Sequence, residues 1–294
     1  MRAATVSILL LCGVPLAATA QAGLPSAAPP TPDCPACAQW NAPHEPVQIF
    51  ANTYWVGTAG LGAILITSDE GHVLIDGGLR ESARPIAESI QTLGFELDDV
   101  RLILNSHAHY DHAGGIAALA AASAATVAAS PASAPVLETG NAGPDDPQYG
   151  SLFPLDPVGE VRVVADGETL RVGPLAVTAH FTPGHTPGGT TWSWRSCEGE
   201  RCLDLVYADS QTPVSADGFF YTRNTTYPDA VRDFERAHAV LDRLPCDIIL
   251  TPHPGAAKVW ERLEGGGLVD PDGCRRYATA AREALAARVE RERR

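Results

Sequence analysis

The chain has 294 residues, enough for one large domain or two small ones. Hydrophobic residues make up 45% of the chain and charged residues 19%, which is ordinary for a folded globular protein. The formal net charge of -14 opposes binding to phosphate polyanions, because such binding needs clustered Lys and Arg. We therefore expect no nucleic-acid partner and no binding to an anionic membrane surface.

The N-terminus has the pattern of a secretory signal peptide. Arg2 precedes an apolar run over residues 6–16, and the small residues Ala-Thr-Ala end at Ala20. The apolar run is too short to span a bilayer. A lipoprotein site at Cys12 is disfavoured, because three leucines precede it where a small residue is needed. We expect cleavage after Ala20, export to the periplasm, and a mature chain with no membrane insertion.

Export to an oxidising compartment favours disulfides over free thiols. Of the seven cysteines, Cys12 leaves with the leader, so six remain, an even number. Other pairings are possible, and a zinc ribbon is the alternative for the Cys-x-x-Cys spacing, although oxidation disfavours it. Proximity in sequence suggests pairing Cys34 with Cys37, Cys197 with Cys202, and Cys246 with Cys274.

The predicted elements of the first half alternate between strands and helices. Residues 21–39 are rich in Pro and Ala and predict an N-terminal arm. The three strands that follow this arm form an antiparallel meander, and a buried strand then runs directly into a cluster of histidines. Strands are predicted at residues 47–56, 62–67, 72–75, 100–104 and 126–129, and helices at residues 82–93 and 114–122.

The second half repeats this organisation after a long Gly, Pro and Asp loop at residues 140–158, a candidate rim for a site. Two blocks of strands followed by helices favour the α+β class, as a four-layer αβ/βα sandwich. Because the halves share a core, we interpret residues 40–294 as a single domain after a signal peptide at residues 1–20. Strands are predicted at residues 161–164, 169–172, 175–181, 192–194, 203–207 and 247–250, and helices at residues 227–244 and from residue 273.

Four potential metal ligands lie within six residues, directly after the predicted strand at residues 100–104. They are His107, His109, Asp111 and His112. Imidazole nitrogens and a carboxylate oxygen at such spacing suit Zn²⁺. One metal rarely takes four ligands from so tight a turn, because adjacent side chains point apart. The pattern therefore favours two metals, one bound by His107 and His109 and the other by Asp111 and His112.

Two further histidines follow predicted strands in rigid turns. His185 lies in Thr-Pro-Gly-His-Thr-Pro-Gly and His253 in Thr-Pro-His-Pro-Gly. Prolines beside a histidine restrict the backbone and lower the entropy lost when a ligand is fixed. The other histidines lack such turns, or lie in a hairpin or a helix, so we interpret them as structural or solvent-facing. They are His44, His72, His180 and His238.

These motifs resemble those of the metallo-β-lactamase superfamily. The resemblance rests on the His-x-His-x-Asp-His run, the Asp-Gly-Gly turn that begins at Asp76, the Pro-Gly-His-Thr-Pro-Gly turn and the Thr-Pro-His-Pro ending. With Tyr-Ala-Asp-Ser at residues 207–210 and the stretch at residues 246–254, the chain is most similar to class B β-lactamases of the third subclass. The resemblance covers nearly all of the chain from about Trp40 onward.

The resemblance implies a ligand set and an activity. It assigns His107, His109 and His185 to one zinc ion, and Asp111, His112 and His253 to a second. The implied enzyme is a zinc-dependent β-lactamase that hydrolyses penicillins, cephalosporins and carbapenems by a zinc-bound hydroxide and confers antibiotic resistance. Asp111 would also orient the nucleophile. We expect a monomer that acts on a small-molecule substrate.

Three residues outside the ligand set have implied roles. Ser210 and Thr212 lie where the family places hydroxyls that meet the substrate carboxylate. Family members usually carry Ser at the position of Thr212, and this chain keeps the hydroxyl. Asp76 ends a predicted strand and is expected to support the ligand loop, although a turn-forming Asp explains its position almost as well.

Another hydrolase on the same fold, a glyoxalase-II-like thioesterase or a lactonase, is the main alternative. Those enzymes use an Asp that bridges both metals, and Asp209 lies close to the corresponding element. The hydroxyls of Ser210 and Thr212 and the expected export favour the β-lactamase. A nuclease lacks support from charge or length, and a closed zinc-binding protein is disfavoured because three ligands per metal leave open positions.

Overall fold

The computed structural model describes residues 24–294. The expected signal peptide, with Cys12 and the cleavage point after Ala20, lies outside the described residues. The first sheet is antiparallel from its first to its fourth strand and parallel from its fourth to its seventh. Its strands follow chain order: β1 (Val47–Phe50), β2 (Thr53–Trp55), β3 (Ile64–Ile66), β4 (His72–Ile75), β5 (Val100–Leu104), β6 (Thr126–Ala129) and β7 (Val161–Val163).

The second sheet has five strands in the order β12-β11-β10-β9-β8. Neighbouring strands are antiparallel except β11 and β12, which are parallel. The parallel pairing directs the carboxyl ends of β11 and β12 to the same edge. The strands are β8 (Thr169–Val172), β9 (Leu175–Phe181), β10 (Thr190–Glu198), β11 (Arg201–Tyr207) and β12 (Ile248–Leu250).

Helices cover the outer face of each sheet, which confirms the predicted four-layer sandwich. Ile64 and Ile66 point into the core between the sheets, while Leu65 points to the helices outside. Both faces of β3 are therefore apolar, as in a strand buried on both sides. The helices are α1 (Cys37–Trp40), α2 (Ala83–Thr92), α3 (Tyr110–Ala113), α4 (Ile116–Ser123), α5 (Ser133–Thr139), α6 (Ala230–Leu241), α7 (Val259–Glu264) and α8 (Gly273–Glu292), with 3₁₀ turns at Arg80–Ser82, Leu97–Asp99 and Pro254–Ala257.

One predicted strand was wrong, and several short helices were not predicted. The single strand predicted at residues 47–56 is the hairpin β1–β2, because the chain turns at Ala51, whose φ is 48°. Helices α1, α5 and α7 were not predicted, and α5 contains Pro135. Proline is tolerated in the first turn of a helix, where its missing N–H has no intrahelical partner to lose. In the described part of the chain, none of the helices is long and apolar enough to cross a membrane.

The three predicted disulfides are all formed. The arm is closed by Cys34–Cys37, the β10–β11 turn by Cys197–Cys202, and the start of β12 is tied to α8 by Cys246–Cys274. A zinc ribbon at the Cys-x-x-Cys spacing is therefore wrong, because both sulfur atoms are bonded to each other. The third bond fixes α8 against the second sheet, which matters for the site described below.

Candidate metal centre

All six predicted ligands lie at one edge of the sandwich, where strands of both sheets end. The run from His107 to His112 follows β5, His185 follows β9, and His253 follows β12. A strand end is a rigid place from which a short loop aims side chains at one point. The structure brings these residues together in the predicted division into two groups of three. Within residues 24–294, no other group of this kind is found.

The first group consists of His107, His109 and His185, all buried. Their ring centroids lie 4.7 to 5.1 Å apart, and one ring nitrogen from each lies within 4.8 Å of the others. Nε2 of His107 is buried and has no hydrogen-bond partner among the described residues. An orphaned ring nitrogen that faces two other imidazoles is what a metal site requires.

The opposite ring nitrogen of each histidine in the first group is held by an oxygen atom. His107 Nδ1 donates to Asp209 Oδ1 over 2.7 Å, and His109 Nε2 donates to Asp146 Oδ2 over 2.9 Å. His185 Nδ1 donates to a backbone carbonyl oxygen, that of Thr212, over 2.8 Å. Such acceptors fix the tautomer and the ring orientation, so the remaining nitrogen of each ring is free to bind a metal.

The second group consists of Asp111, His112 and His253. Asp111 Oδ2 lies 3.1 Å from His112 Nε2 and 3.1 Å from His253 Nε2. Ligands at about 2.0–2.1 Å from a tetrahedral Zn²⁺ lie about 3.3 Å from one another. The spacing of these donor atoms therefore fits zinc. Together, the two donor sets fit two zinc ions.

The protonation states suit metal binding, because ligands must be deprotonated. Burial lowers the pKa of His107 and His112, and burial with the nearby His109 lowers the pKa of His185 to about 3. These imidazoles are therefore neutral at pH 7. Burial opposes ionisation of Asp111, but the adjacent side chains of His112 and His253 together outweigh it and hold the pKa of that carboxyl well below its usual range.

Asp76 supports the ligand loop, as predicted. Its carboxylate accepts hydrogen bonds from Ser106 N (2.8 Å), Ser106 Oγ (2.6 Å) and the Tyr207 hydroxyl (3.0 Å). The turn after Asp76 also lies directly against the helix that carries the ligands. A Cβ atom on Gly115 would lie 2.3 Å from the Gly77 carbonyl oxygen, so only glycine permits this approach.

Of the two predicted substrate-binding hydroxyls, that of Thr212 lies beside the first group. Ser210 is buried, and Thr212 Oγ1 lies 3.5 Å from His185 Nδ1. Contact of either hydroxyl with a substrate carboxylate stays a prediction. Asp209 lies behind His107 and does not lie between the two groups, so it positions a ligand and does not bridge two metals.

Two residues near the ligands were not singled out from the sequence. Asp146 and Gln148 both belong to the loop at residues 140–158 that was predicted as a rim. Gln148 Nε2 lies 3.5 Å from His109 Nδ1 and 3.5 Å from His185 Nε2, at the mouth of the first group. An Asp before a Pro in a Gly-rich loop is also typical of an ordinary turn. No local signal in the sequence separates an Asp that holds a ligand from an Asp that only forms a turn.

The remaining histidines lie outside both groups, as predicted. His72 packs edge-on against Phe95, and His180 Nε2 lies 2.7 Å from Ser193 Oγ on the neighbouring strand. His238 is buried in α6, where burial lowers its pKa to about 4. Each therefore has a structural place away from the metal ligands.

Comparisons with known proteins agree with this geometry. The sequence model of the metallo-β-lactamase superfamily matches residues 63–193. The structure of Rm3 metallo-β-lactamase is 50% identical, with a TM-score of 0.88, over 90% of this chain and 100% of that chain. MEM-A1, a subclass B3 metallo-β-lactamase isolated from a soil metagenome library, is 47% identical, with a TM-score of 0.84, over 86% of this chain and 98% of that chain.

A more distant relative is Ribonuclease TTHA0252 of Thermus thermophilus, which is 28% identical over 202 residues. That match covers 59% of this chain, and the chain spans only 46% of the length of this curated relative. The ribonuclease therefore does not decide the activity. The fold, the two donor groups and the near-complete coverage of Rm3 agree, and we conclude that the chain belongs to the metallo-β-lactamase superfamily.

Proposed function

We propose that the protein is a zinc-dependent β-lactamase that hydrolyses the amide bond of β-lactam antibiotics and thereby confers resistance to them. One observation carries the proposal: a chain 50% identical to Rm3 metallo-β-lactamase over 90% of its length holds two complete donor groups side by side. Three protein ligands in each group leave open positions, as in catalytic zinc sites and unlike structural ones.

The chemistry of such a site is hydrolysis. Bound zinc lowers the pKa of water to about 7 and polarises a carbonyl oxygen. The chain supplies a rigid frame for this chemistry, because Asp209, Asp146 and the Thr212 carbonyl hold the three imidazoles of the first group in one orientation. Asp111 presents Oδ2 to His112 and His253, which leaves its Oδ1 to orient the attacking water.

The hydroxyls of Ser210 and Thr212 are the proposed partners of the substrate carboxylate. Both residues follow β11, and the Thr212 hydroxyl lies 3.5 Å from His185 Nδ1, so a β-lactam whose carboxylate is held there would lie beside the first donor group. Gln148, whose Nε2 lies 3.5 Å from His109 Nδ1 and 3.5 Å from His185 Nε2, adds an amide donor next to the first group. These three polar side chains would fix the orientation of a small substrate.

We also propose that the protein acts in the periplasm as a monomer that penicillins, cephalosporins and carbapenems reach from outside. The signal-peptide pattern before Ala20 supports export. The three disulfides support an oxidising compartment, since such bonds form and persist there. Sedimentation of the purified protein tests the monomer, and fractionation of producing cells tests the location.

The thioesterase or lactonase alternative loses its main support. A bridging carboxylate would have to lie between the two groups, whereas Asp209 Oδ1 accepts a hydrogen bond from the far side of the His107 ring. A ribonuclease activity is disfavoured by the formal net charge of -14, because nucleic-acid binding depends on clustered positive charge.

The test is turnover by the purified protein of a penicillin, a cephalosporin and a carbapenem. We expect ring opening that a chelator abolishes, that added zinc restores and that serine-directed inhibitors leave unchanged. The matched substrates are a lactone and a glutathione thioester. Rapid hydrolysis of either of these, without any β-lactam opening, would overturn the proposal.

A further inference from the structure

The last turn of α8 holds a loop next to the metal centre. Glu292 is only 8% exposed although it lies near the end of the chain. Its Oε1 accepts from the N–H of Tyr221 over 3.1 Å, and its Oε2 accepts from the N–H and the hydroxyl of Thr222 over 2.8 and 2.9 Å. A buried carboxylate with three such donors is strongly bound in place.

Arg288 lies one turn earlier on α8 and completes this contact. Its Nε donates to Glu292 Oε1 over 2.5 Å, and its Nη2 donates to Ser215 Oγ over 2.7 Å and to the Phe219 carbonyl oxygen over 3.1 Å. We call residues 213–223 the rim loop, which is distinct from the loop at residues 140–158. Arg288 and Glu292 together are called the C-terminal clamp. The clamp thus contacts the rim loop at both of its ends.

One route leads from the rim loop to His185. The Tyr221 hydroxyl donates to the Val214 carbonyl oxygen over 2.7 Å, and the Val214 N–H donates to the Thr212 carbonyl oxygen over 2.9 Å. The same Thr212 oxygen accepts the hydrogen bond from His185 Nδ1. The position of the rim loop therefore sets the acceptor that orients this ligand.

A second route leads from the rim loop to His109. The Ala216 N–H donates to the Pro147 carbonyl oxygen over 2.9 Å, which joins the rim loop to the loop at residues 140–158. Pro147 stands between Gln148 and Asp146, the carboxylate that holds His109. Both routes end on the first group, and neither reaches the second.

We propose that Arg288 and Glu292 are positioning residues, which act through the rim loop to hold His185 and His109 in the geometry that binds the first zinc. The clamp also sets the substrate-facing loops, so its loss raises KM. The part concerning KM rests on the proposed function, whereas the part concerning zinc does not. A purely structural role for these contacts is the alternative. It predicts a loss of stability without a loss of zinc affinity.

Glu292→Gln is the most informative variant, because it keeps the size and shape of the side chain but replaces one acceptor oxygen with an NH₂ donor and removes the charge. The amide NH₂ would face the N–H of Tyr221 or Thr222, which leaves a buried donor without an acceptor. The matched control is Glu290→Gln, an identical change of charge in the same turn. Glu290 is exposed and pairs only loosely with Arg294, at 3.6 Å.

The main measurement is zinc competition against a chromogenic chelator, with KM and kcat for a β-lactam and the thermal midpoint as companions. For Glu292→Gln we expect affinity for the first zinc to fall about 10-fold, in the range found when a residue behind a ligand is lost. We expect KM to rise, while kcat at saturating zinc changes little. Glu290→Gln should match the wild type in all four quantities.

Thr222→Val serves if Glu292→Gln fails to fold, because it removes a single hydroxyl that donates to Glu292 Oε2. We expect it to weaken the first zinc about threefold, as one lost hydrogen bond implies. Wild-type zinc affinity and KM in the folded variants, even with a lowered thermal midpoint, would overturn the proposal. If the wild type opens no β-lactam, the proposed function fails, and zinc competition alone still decides the role of the clamp.

Discussion

The two metal groups lie side by side but are built differently. In the first, every imidazole is held from behind by an oxygen atom, and the His107 side chain is 0% exposed. In the second, the ligands contact one another, His112 Nδ1 has no partner in residues 24–294, and the His253 side chain is 35% exposed. We infer that the protein organises the first group before any metal binds, and that the second group depends more on the metal for its order.

This difference has a physical consequence for zinc affinity. Ligands whose orientation is fixed in advance lose little entropy on binding, and acceptors behind them increase their basicity. The second group compensates in part with the negative charge of Asp111. We therefore expect the first zinc to be bound more tightly and the second to be lost first on dilution or chelation. Three predictions test this comparison, and a fourth concerns a histidine outside both groups.

Loss of a ligand from the first group should have the largest effect. His185→Ala removes one of three imidazoles, so we expect zinc content to fall from about two ions to about one per chain and turnover to fall by more than about 100-fold. The control is His180→Ala, since His180 belongs to neither donor group and its Nε2 contacts Ser193 Oγ. Zinc analysis and steady-state kinetics measure the effect. Equal zinc content in both variants would show that His185 is not a ligand.

Loss of an acceptor behind the first group should have the next largest effect. Asp146→Asn places an amide where the carboxylate accepts from His109 Nε2 and from the Gln148 N–H, so one of these contacts is lost. We expect first-site zinc affinity to fall about 10–100-fold. Asp145→Asn is the matched control, because it makes the same change of charge at the adjacent residue, whose carboxylate is exposed. A similar loss in both variants would point to net charge as the cause.

Zinc affinity of the second group should depend on the aromatic side chain that packs against His253. The Trp40 ring lies 5.2 Å from the His253 ring and restrains this half-buried side chain from outside the donor group. Trp40→Ala should weaken the second zinc by up to about 10-fold, as the loss of an aromatic pair implies, and leave the first unchanged. Trp40→Phe should lie between this variant and the wild type. Chelator titration resolves the release of the two zinc ions, and a change confined to the zinc of the first group would contradict the prediction.

The smallest effect concerns a histidine outside both groups. Neither ring nitrogen of the buried His238 has a hydrogen-bond partner among the described residues, so His238→Leu should raise the thermal midpoint by about 2–4 °C. Burial, with the positive charge of Arg282, lowers the pKa of His238 to about 4. Metal affinity should not change.

The pH dependence of this effect follows from the direction of the shift. Between about pH 6.5 and pH 4 the unfolded state binds the proton and the folded state does not, so the wild type loses stability as the pH falls through this range. His238→Leu lacks this loss. Its gain in thermal midpoint should therefore be larger at pH 5 than at pH 8, and an equal gain at both values would refute the assignment.

Much of the fold and of the metal centre was predictable because the signals are local. β4, β5 and β6 were predicted with the bounds that the structure has, since each is a short apolar run between turn residues. The predicted ligands His185 and His253 follow strands in turns rich in Pro and Gly, and such turns can be recognised from residue type and spacing in the sequence. The β1–β2 hairpin was missed because Ala51, an ordinary residue, adopts a positive φ at the turn.

The residues that hold the ligands from behind could not be predicted from local sequence patterns. Asp209 lies 102 residues from His107, the ligand that it holds, and Asp146 lies 37 residues from His109. Glu292 is 70 residues from Thr222. Any of the chain's carboxylates could serve as such an acceptor by chemistry alone, so only their placement by packing selects these three.

The sequence by itself therefore predicted the class of fold and the six candidate ligands with their chemistry. These properties depend on hydrophobic periodicity, on turn residues and on the affinity of imidazole and carboxylate for zinc, all of which act over a few residues. The tertiary structure alone decided which oxygen atoms orient those ligands, and that the end of α8 reaches the loop beside them. A hydrogen bond between distant segments depends on how the two sheets and their helices pack, and packing has no signature in any one stretch of the chain.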